Sequence, residues 1–410
     1  MDILKNRNTV LFLLASGLSF LGNGMHFIAI TWLAYSISGG PLAVGVLVAI
    51  GAVPGILTAP FTGVFADRYD KKKISIAMDV LRALIVLVMA LIIDTNNTSL
   101  TLLYIFSVLL SSCSNFFYPA ISGMIKECII EELYFRTITL NSTLQQLGFI
   151  LGPALGGLLI SLFSIRTVLY VDALTFLGSG LLLLFLSYKP SASSKEIIKN
   201  KAYNSIWKDF QGGFSYVKSN RFILYLVFLG IVGATVVNTF NSLLSDYTSS
   251  LGHGVKVYGI FDTVFGVGSV LTGFSLAFLS KKLGKRKVII FSYCLMALAL
   301  CIIGFSNQVW ISILAIVFLG ASIMGEGVSR KTLLIESVDK KYIGRVESLN
   351  WVLISSIAPL LSIIGSLLSE YLSSKIILGI LCIPLLIISY FATKVLRLNT
   401  YKGKHSDISA

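Results

Sequence analysis

Charge is scarce in this chain, and acid is scarcer than base. Only 13% of its 410 residues are Asp, Glu, Lys or Arg, and 19 acids stand against 33 bases. An ordinary soluble domain carries about 25% charged residues, so the composition excludes that class. Histidine and cysteine are few as well. The 3 histidines and 5 cysteines show no metal-ligand spacing, and Cys113, Cys128, Cys294, Cys301 and Cys382 all fall in or beside apolar runs, which excludes a zinc site and a disulfide framework. No glycine-rich Walker loop occurs, so ATP hydrolysis by that route is excluded. No constellation for covalent or metal catalysis is present. The reading is a protein without enzymatic activity, metal or cofactor. The start of the chain lacks a short apolar core followed by a small-residue cleavage site, so the first apolar segment is expected to be retained.

What the chain has instead is apolar length. Hydrophobic residues make up 55% of it, gathered into twelve stretches near 9–36, 42–66, 74–93, 100–125, 138–163, 167–187, 222–247, 257–279, 288–305, 309–328, 342–368 and 376–395. About 20 apolar residues cover the hydrocarbon thickness of a bilayer as a helix, so each stretch is long enough to cross. The expected fold is an all-α membrane protein of twelve transmembrane helices. The bases set its orientation. With the N-terminus placed in the cytoplasm, 29 of the 33 Lys and Arg fall on inner segments; Arg166, Lys256 and Lys375 fall outside and Arg82 within the third span. That bias predicts both termini in the cytoplasm. It also accounts for the net charge of +14: the bases are dispersed over short loops facing an anionic lipid surface, so membrane lipids rather than nucleic acid are the expected partners.

The longest polar stretch separates the sixth and seventh spans. Residues 1–187 are read as an N-terminal six-helix bundle, 188–220 as a cytoplasmic linker, and 221–410 as a C-terminal six-helix bundle with a short cytoplasmic tail. Within the linker, Ile206, Phe210, Phe214 and Val217 recur at helical spacing, which predicts a surface helix over 203–217. A weak internal repeat links the bundles. Glu127, Arg136, Leu140 and Asn141 recur as Glu336, Arg345, Leu349 and Asn350 at a constant offset of 209, and Lys71–Lys73 are echoed by Lys285–Lys287 at 214. Two like bundles joined by a loop can rock about a shared cavity and expose it to either side.

Two motifs carry chemistry. After the second span the chain reads Gly-Val-Phe-Ala-Asp-Arg-Tyr-Asp-Lys-Lys-Lys from Gly63 to Lys73. This resembles the signature of the major facilitator superfamily, with Asp70 in place of a usual glycine. Gly63 permits close helix approach, and Asp67 stands where an anion can meet a helix N-terminus. The resemblance implies that Asp67 contacts helix eleven, that Arg68 bonds an acid at the inner end of span four (Glu127), and that these residues form a conformational gate. Asp79 and Arg82, three apart on one helix face, are read as partners supporting it. In span five, Gly148, Gly152, Pro153, Gly156 and Gly157 form a small-residue face with a bend. This resembles the motif of the superfamily's exporters. Phe116–Ala120, Asn141–Gln145, Tyr170–Ala173 and Gly344–Val346 further resemble the drug:H+ antiporter branch containing macrolide efflux proteins and the enterobactin exporter.

That likeness covers nearly the whole chain and implies outward transport of a hydrophobic or amphiphilic, macrolide-like small molecule by alternating access, with proton antiport as the drive. Multidrug efflux and antibiotic resistance at the bacterial cell membrane follow as expectations, as does a monomer. One departure bears on energy coupling: proton-coupled relatives often carry an arginine inside span four, where this chain has Leu110, and span one holds no acid. A lipid or siderophore transporter, not coupled to protons, is the alternative. In this fold the cavity-lining residues would be Asn23, His26, Trp32, Asn115, Tyr118, Asn238, Asn241 and Glu326. Intramembrane carboxylates are costly and so call for a reason; Glu326, Asp172 and Asp262 are the candidates for proton coupling. Glu326 could equally pair with Arg330, and Asp172 and Asp262, near the outer ends of their spans, could simply be hydrated. His26 is read as a bonded bundle histidine that could also carry a proton.

Overall fold

The computed structural model describes residues 6–93, 99–130, 133–187, 214–252, 254–339 and 342–403. Among them no strand occurs. The helices are α1 (Arg7–Ser38), α2 (Pro41–Arg68), α3 (Lys71–Ile92), α4 (Leu100–Cys128), α5 (Tyr134–Leu162), α6 (Ile165–Leu184), α7 (Arg221–Ser250), α8 (Val255–Leu283), α9 (Lys285–Phe305), α10 (Val309–Ser337), α11 (Ile343–Leu368), α12 (Ser374–Ile380) and α13 (Cys382–Gly403). The described residues hold 12 helical segments long and apolar enough to cross a membrane, in step with the twelve stretches read from the sequence. In hydrocarbon a backbone must satisfy its own hydrogen bonds, and a helix does so within one segment.

Polar side chains fix where these helices begin. Asn6 accepts from Thr9 N at 3.0 Å, Ser164 from Thr167 N at 3.2 Å and Asn220 from Phe222 N at 3.1 Å. Asp70, the residue that departs from the family glycine, is the N-cap of α3 and accepts from Lys73 N at 3.0 Å. A side-chain oxygen here satisfies an amide that the helix cannot. Gly39 (φ 70°) and Gly284 (φ 83°) end α1 and join α8 to α9 with left-handed backbones that residues with a Cβ rarely adopt.

The last crossing differs from expectation. The stretch over 376–395 is not one helix but two, interrupted at Leu381. The break lies beside a crossing where Gly379 and Gly304 of α9 meet backbone to backbone, with only 2.5 Å between an added Cβ at Gly304 and the Gly379 Cα. Of the expected surface helix, residues 214–219 are helical, with Val217 buried and Phe214 exposed; 203–213 lie outside the described residues.

Two compact units emerge. The first gathers α1–α6 together with the start of α8 as far as Thr263; the second contains α7, the remainder of α8, and α9–α13. In the first, α1 is central and packs against α5 and α6, while α3 packs on α6 and α2 on α4. Its core joins Leu33, Val44, Val86, Phe106 and Phe176 from five helices. In the second, α9 packs against α10, and α7 against α11. Gly268 and Gly320 let α8 and α10 touch: a Cβ on either would fall 2.0 Å from a carbonyl oxygen of the other helix. Ser269 then donates to the Gly320 carbonyl at 3.0 Å, as Ser111 of α4 donates to Gly51 of α2 at 2.5 Å in the first unit.

Candidate functional site

The glycine face of α5 positions α1. An added Cβ at Gly152 would stand 2.6 Å from Gly24 Cα, one at Gly148 2.7 Å from the Phe20 backbone, and one at Gly156 2.5 Å from an Ile28 methyl. Only glycine permits such approach, so the motif read from the sequence seats α1 in the first unit. Gly157, next along, faces Gly259 at the start of α8, where an added Cβ would stand 3.0 Å from the Gly259 Cα. There Thr31 Oγ1 and the Tyr258 hydroxyl share a hydrogen bond of 2.7 Å, and the Trp32 ring lies tilted against Tyr258 with ring centroids 5.6 Å apart.

So seated, α1 presents Ser19, Gly22, Asn23 and His26 on one face, following the helical repeat. Asn23 donates to the Tyr118 hydroxyl of α4 at 3.1 Å. His26 Nδ1 lies 2.8 Å from Asp172 Oδ2 of α6. Asp172 was expected near a hydrated end; it is instead fully buried. Gly22 makes room for it, since a Cβ there would fall 2.7 Å from Asp172 Oδ1. One and two turns further along α6 come Thr175, which donates to the Asp172 carbonyl at 2.7 Å, and Ser179, which donates to Asp79 Oδ2 at 2.8 Å. Asp79 pairs with Arg82 on α3, both at 0% exposure. Arg82 Nη2 donates to Ser19 at 3.3 Å, and its guanidinium sits between the Phe117 and Phe176 rings at 4.0 and 4.4 Å. A buried polar ladder thus runs between α1, α3 and α6, a two-residue ion pair at one end and a histidine–aspartate pair at the other.

The second unit holds a separate charged cluster. Arg330 Nε donates to Glu326 Oε1 at 2.6 Å along α10, realising the pairing that the sequence left open, and both residues are buried. Tyr293 of α9 donates to the Leu229 carbonyl at 2.7 Å and lies 3.4 Å from the same carboxylate oxygen. Gly230 and Gly233 of α7 leave the space: an added Cβ would meet Arg330 at 2.6 Å and Glu326 at 3.1 Å respectively. Asn238 and Asn241 lie half-buried on α7, and Asp262 half-buried on α8. On α4, Asn115 Nδ2 is buried with no hydrogen-bond partner among the described residues.

Of the expected gate, Gly63, Asp67 and Arg68 fall in α2 and Glu127 in α4, but their side chains lie outside the described residues. Arg82 is engaged with Asp79 in the ladder. Sequence reasoning passed over Ser179 and Tyr293 and did not join His26 to Asp172. The spacing of Asp172, Thr175 and Ser179, three and then four apart, was the available signal of a polar face on α6. Among the described residues no group of three His, Cys, Asp or Glu could hold a metal ion.

Twelve apolar spans with charge buried inside them define a multi-pass membrane protein. Residues 4–407 match the transmembrane secretion effector family, MFS_3, and the chain belongs to it, within the major facilitator superfamily. It is 34% identical over 186 residues to the uncharacterized MFS-type transporter YfiS of Bacillus subtilis, a match covering 45% of this chain and 43% of YfiS. It is 22% identical to macrolide efflux protein A of Streptococcus pyogenes, over 81% of this chain and 82% of that protein. The nucleoside transporter NupG superposes with a TM-score of 0.78 at 13% identity, over 97% of this chain and 99% of that one, which is a likeness of fold.

Proposed function

We propose that the chain is a secondary active exporter of the cell membrane that moves a hydrophobic or amphiphilic, macrolide-like molecule outward by alternating access, driven by inward proton flow. Both termini face the cytoplasm, residues 1–187 and 221–410 act as the two moving halves, and a monomer is the working unit. The observation that carries the substrate class is the set of amides inside otherwise apolar helices. Asn23, Asn115, Asn238 and Asn241 lie in α1, α4 and α7, and Asn115 Nδ2 is buried without a partner. A buried donor left unpaired costs about 1–3 kcal/mol, a cost that a bound carbonyl or ether oxygen would relieve. Apolar walls with few polar handles suit a bulky amphiphile. The glycine face of α5 and the relatives named for macrolide efflux support export.

Asp67 and Arg68 act as the gate, with Glu127 as the acid that Arg68 meets. The test has two arms. Cells stripped of their own exporters and expressing this chain are screened for growth across chemically diverse antibiotics; resistance confined to bulky amphiphiles is expected, and no resistance to any refutes export of this class. Proteoliposomes then report erythromycin flux with and without a pH gradient. A lipid or siderophore transporter indifferent to the gradient is the second reading, favoured by Leu110 of α4 standing where coupled relatives carry arginine; flux insensitive to pH selects it.

A further inference from the structure

Four intramembrane carboxylates could exchange a proton with water, and their surroundings differ in one decisive respect. Glu326 is held by Arg330, whose guanidinium stays charged at any pH a cell meets. Asp79 is held in the same way by Arg82. Asp172 is the exception. Its neighbour is His26, the side chain whose ordinary titration range spans physiological pH. Asp262 faces no cation among the described residues.

We propose that His26 and Asp172 together hold the proton exchanged for substrate, a reading that rests on the antiport proposed above. The proton count is simple. Joined, the pair carries one proton and no net charge, whether as imidazolium with carboxylate or as neutral imidazole with carboxylic acid. Release of that proton to water leaves a bare carboxylate at a fully buried position, which apolar surroundings strongly oppose. Uptake of a second leaves a lone imidazolium. Asp172 is shut off from water while His26 is 13% exposed, so the proton enters and leaves the pair through the imidazole. The donor is water on one side of the membrane and the acceptor water on the other; no electron moves.

The fold makes this pair responsive. Its members sit on different helices, α1 and α6, so the proton governs attraction between elements rather than within one. Gly22 brings the carboxylate against the α1 backbone, leaving no slack for a side chain to absorb the change. The groups facing the pair are few. From α3 come Asp79 and Arg82, already matched to each other; from α4 come Tyr118, bonded to Asn23, and Cys113. The packed stretch of α5 from Gly148 to Gly157 has no titratable residue, nor has α2 before Asp67. At the start of α8 stand Tyr258, bonded to Thr31, and Asp262. Thr175 and Ser179 continue the polar face of α6 toward Asp79, about 10 Å away along the helix.

The test uses the full chain in two preparations. In proteoliposomes, erythromycin flux is measured with and without an imposed pH gradient, and each variant is compared with itself as a ratio. His26→Gln and Asp172→Asn are expected to lower that ratio by about fivefold or more relative to wild type, the lower range of an ordinary coupling between two sites. A gradient-responsive wild type with an equally responsive Asp172→Asn overturns the assignment. A wild type indifferent to the gradient overturns antiport itself. In nanodiscs, 15N-histidine labelling gives signals for His26, His253 and His405, and His26 is identified by its loss in His26→Gln. Its signal is expected to respond to pH differently in Asp172→Asn than in wild type; identical behaviour in that variant shows that the pair does not share a proton.

Discussion

Gly152→Ala asks whether the α5 face seats α1 as closely as described. The new methyl would lie 2.6 Å from Gly24 Cα, 2.8 Å from Gly24 C and 2.9 Å from Met25 N. All three are backbone atoms, so no rotamer can yield. Carbon atoms rest at about 3.5–4.0 Å, and α1 must therefore retreat by roughly an ångström. That retreat also loosens Gly148 against Phe20 and Gly156 against Ile28. Overpacking of this kind costs about 1–3 kcal/mol, while alanine in a helix regains about 0.5–1 kcal/mol over glycine. A net loss of roughly 0–2.5 kcal/mol remains, and a deficit of about 1–3 kcal/mol against an alanine that meets nothing. Gly327→Ala is the matched control, since nothing lies within 4 Å of its added Cβ and only the helical gain applies. Unfolding of the two variants in one detergent, followed by circular dichroism against added dodecyl sulfate, should place Gly152→Ala below wild type and Gly327→Ala at or above it. A Gly152→Ala protein as stable as Gly327→Ala would show that the helices do not meet there, and the placement of His26 against α6 would lose its support.

Other outcomes follow from the buried charges and the gate. Arg82→Met strands Asp79 at 0% exposure and should cost about 3–5 kcal/mol, much of it recovered in Arg82→Met/Asp79→Leu; an additive double-mutant cycle would contradict the pairing. Tyr258→Phe should cost only about 0.5–1.5 kcal/mol, because Thr31 keeps its 2.7 Å bond to the Phe27 carbonyl; a larger loss in the same unfolding assay would mean that the hydroxyl does more than meet Thr31. Asp67→Asn should slow erythromycin transport while equilibrium binding persists, as expected of a gate, and lost binding with an intact transport step would count against that role.

Most of the architecture was legible because it depends on length and polarity, which a sequence carries openly. Every crossing could be placed from its apolar run. Local pairings were legible for the same reason: Asp79 with Arg82 and Glu326 with Arg330 are three and four apart, and helical geometry brings such neighbours together. Pairings across helices were not. His26 and Asp172 meet only because glycines at 22, 148 and 152 fix the register of α1 against α5 and α6, and register is a property of packed backbones rather than of either segment. The break at Leu381 escaped for a similar reason, since 376–395 is uniformly apolar and the crossing of Gly379 with Gly304 is tertiary.

The contact of Trp32 with Tyr258 gives the molecule its own optical probe. The sequence has 4 tryptophans. Trp310 and Trp351 are 78% and 49% exposed, so both can be replaced by phenylalanine at little cost in packing. With Trp207 replaced by phenylalanine as well, the remaining emission would come from Trp32. Its brightness and colour would then follow, in real time and without any attached dye, how firmly the first turns of α8 rest against α1.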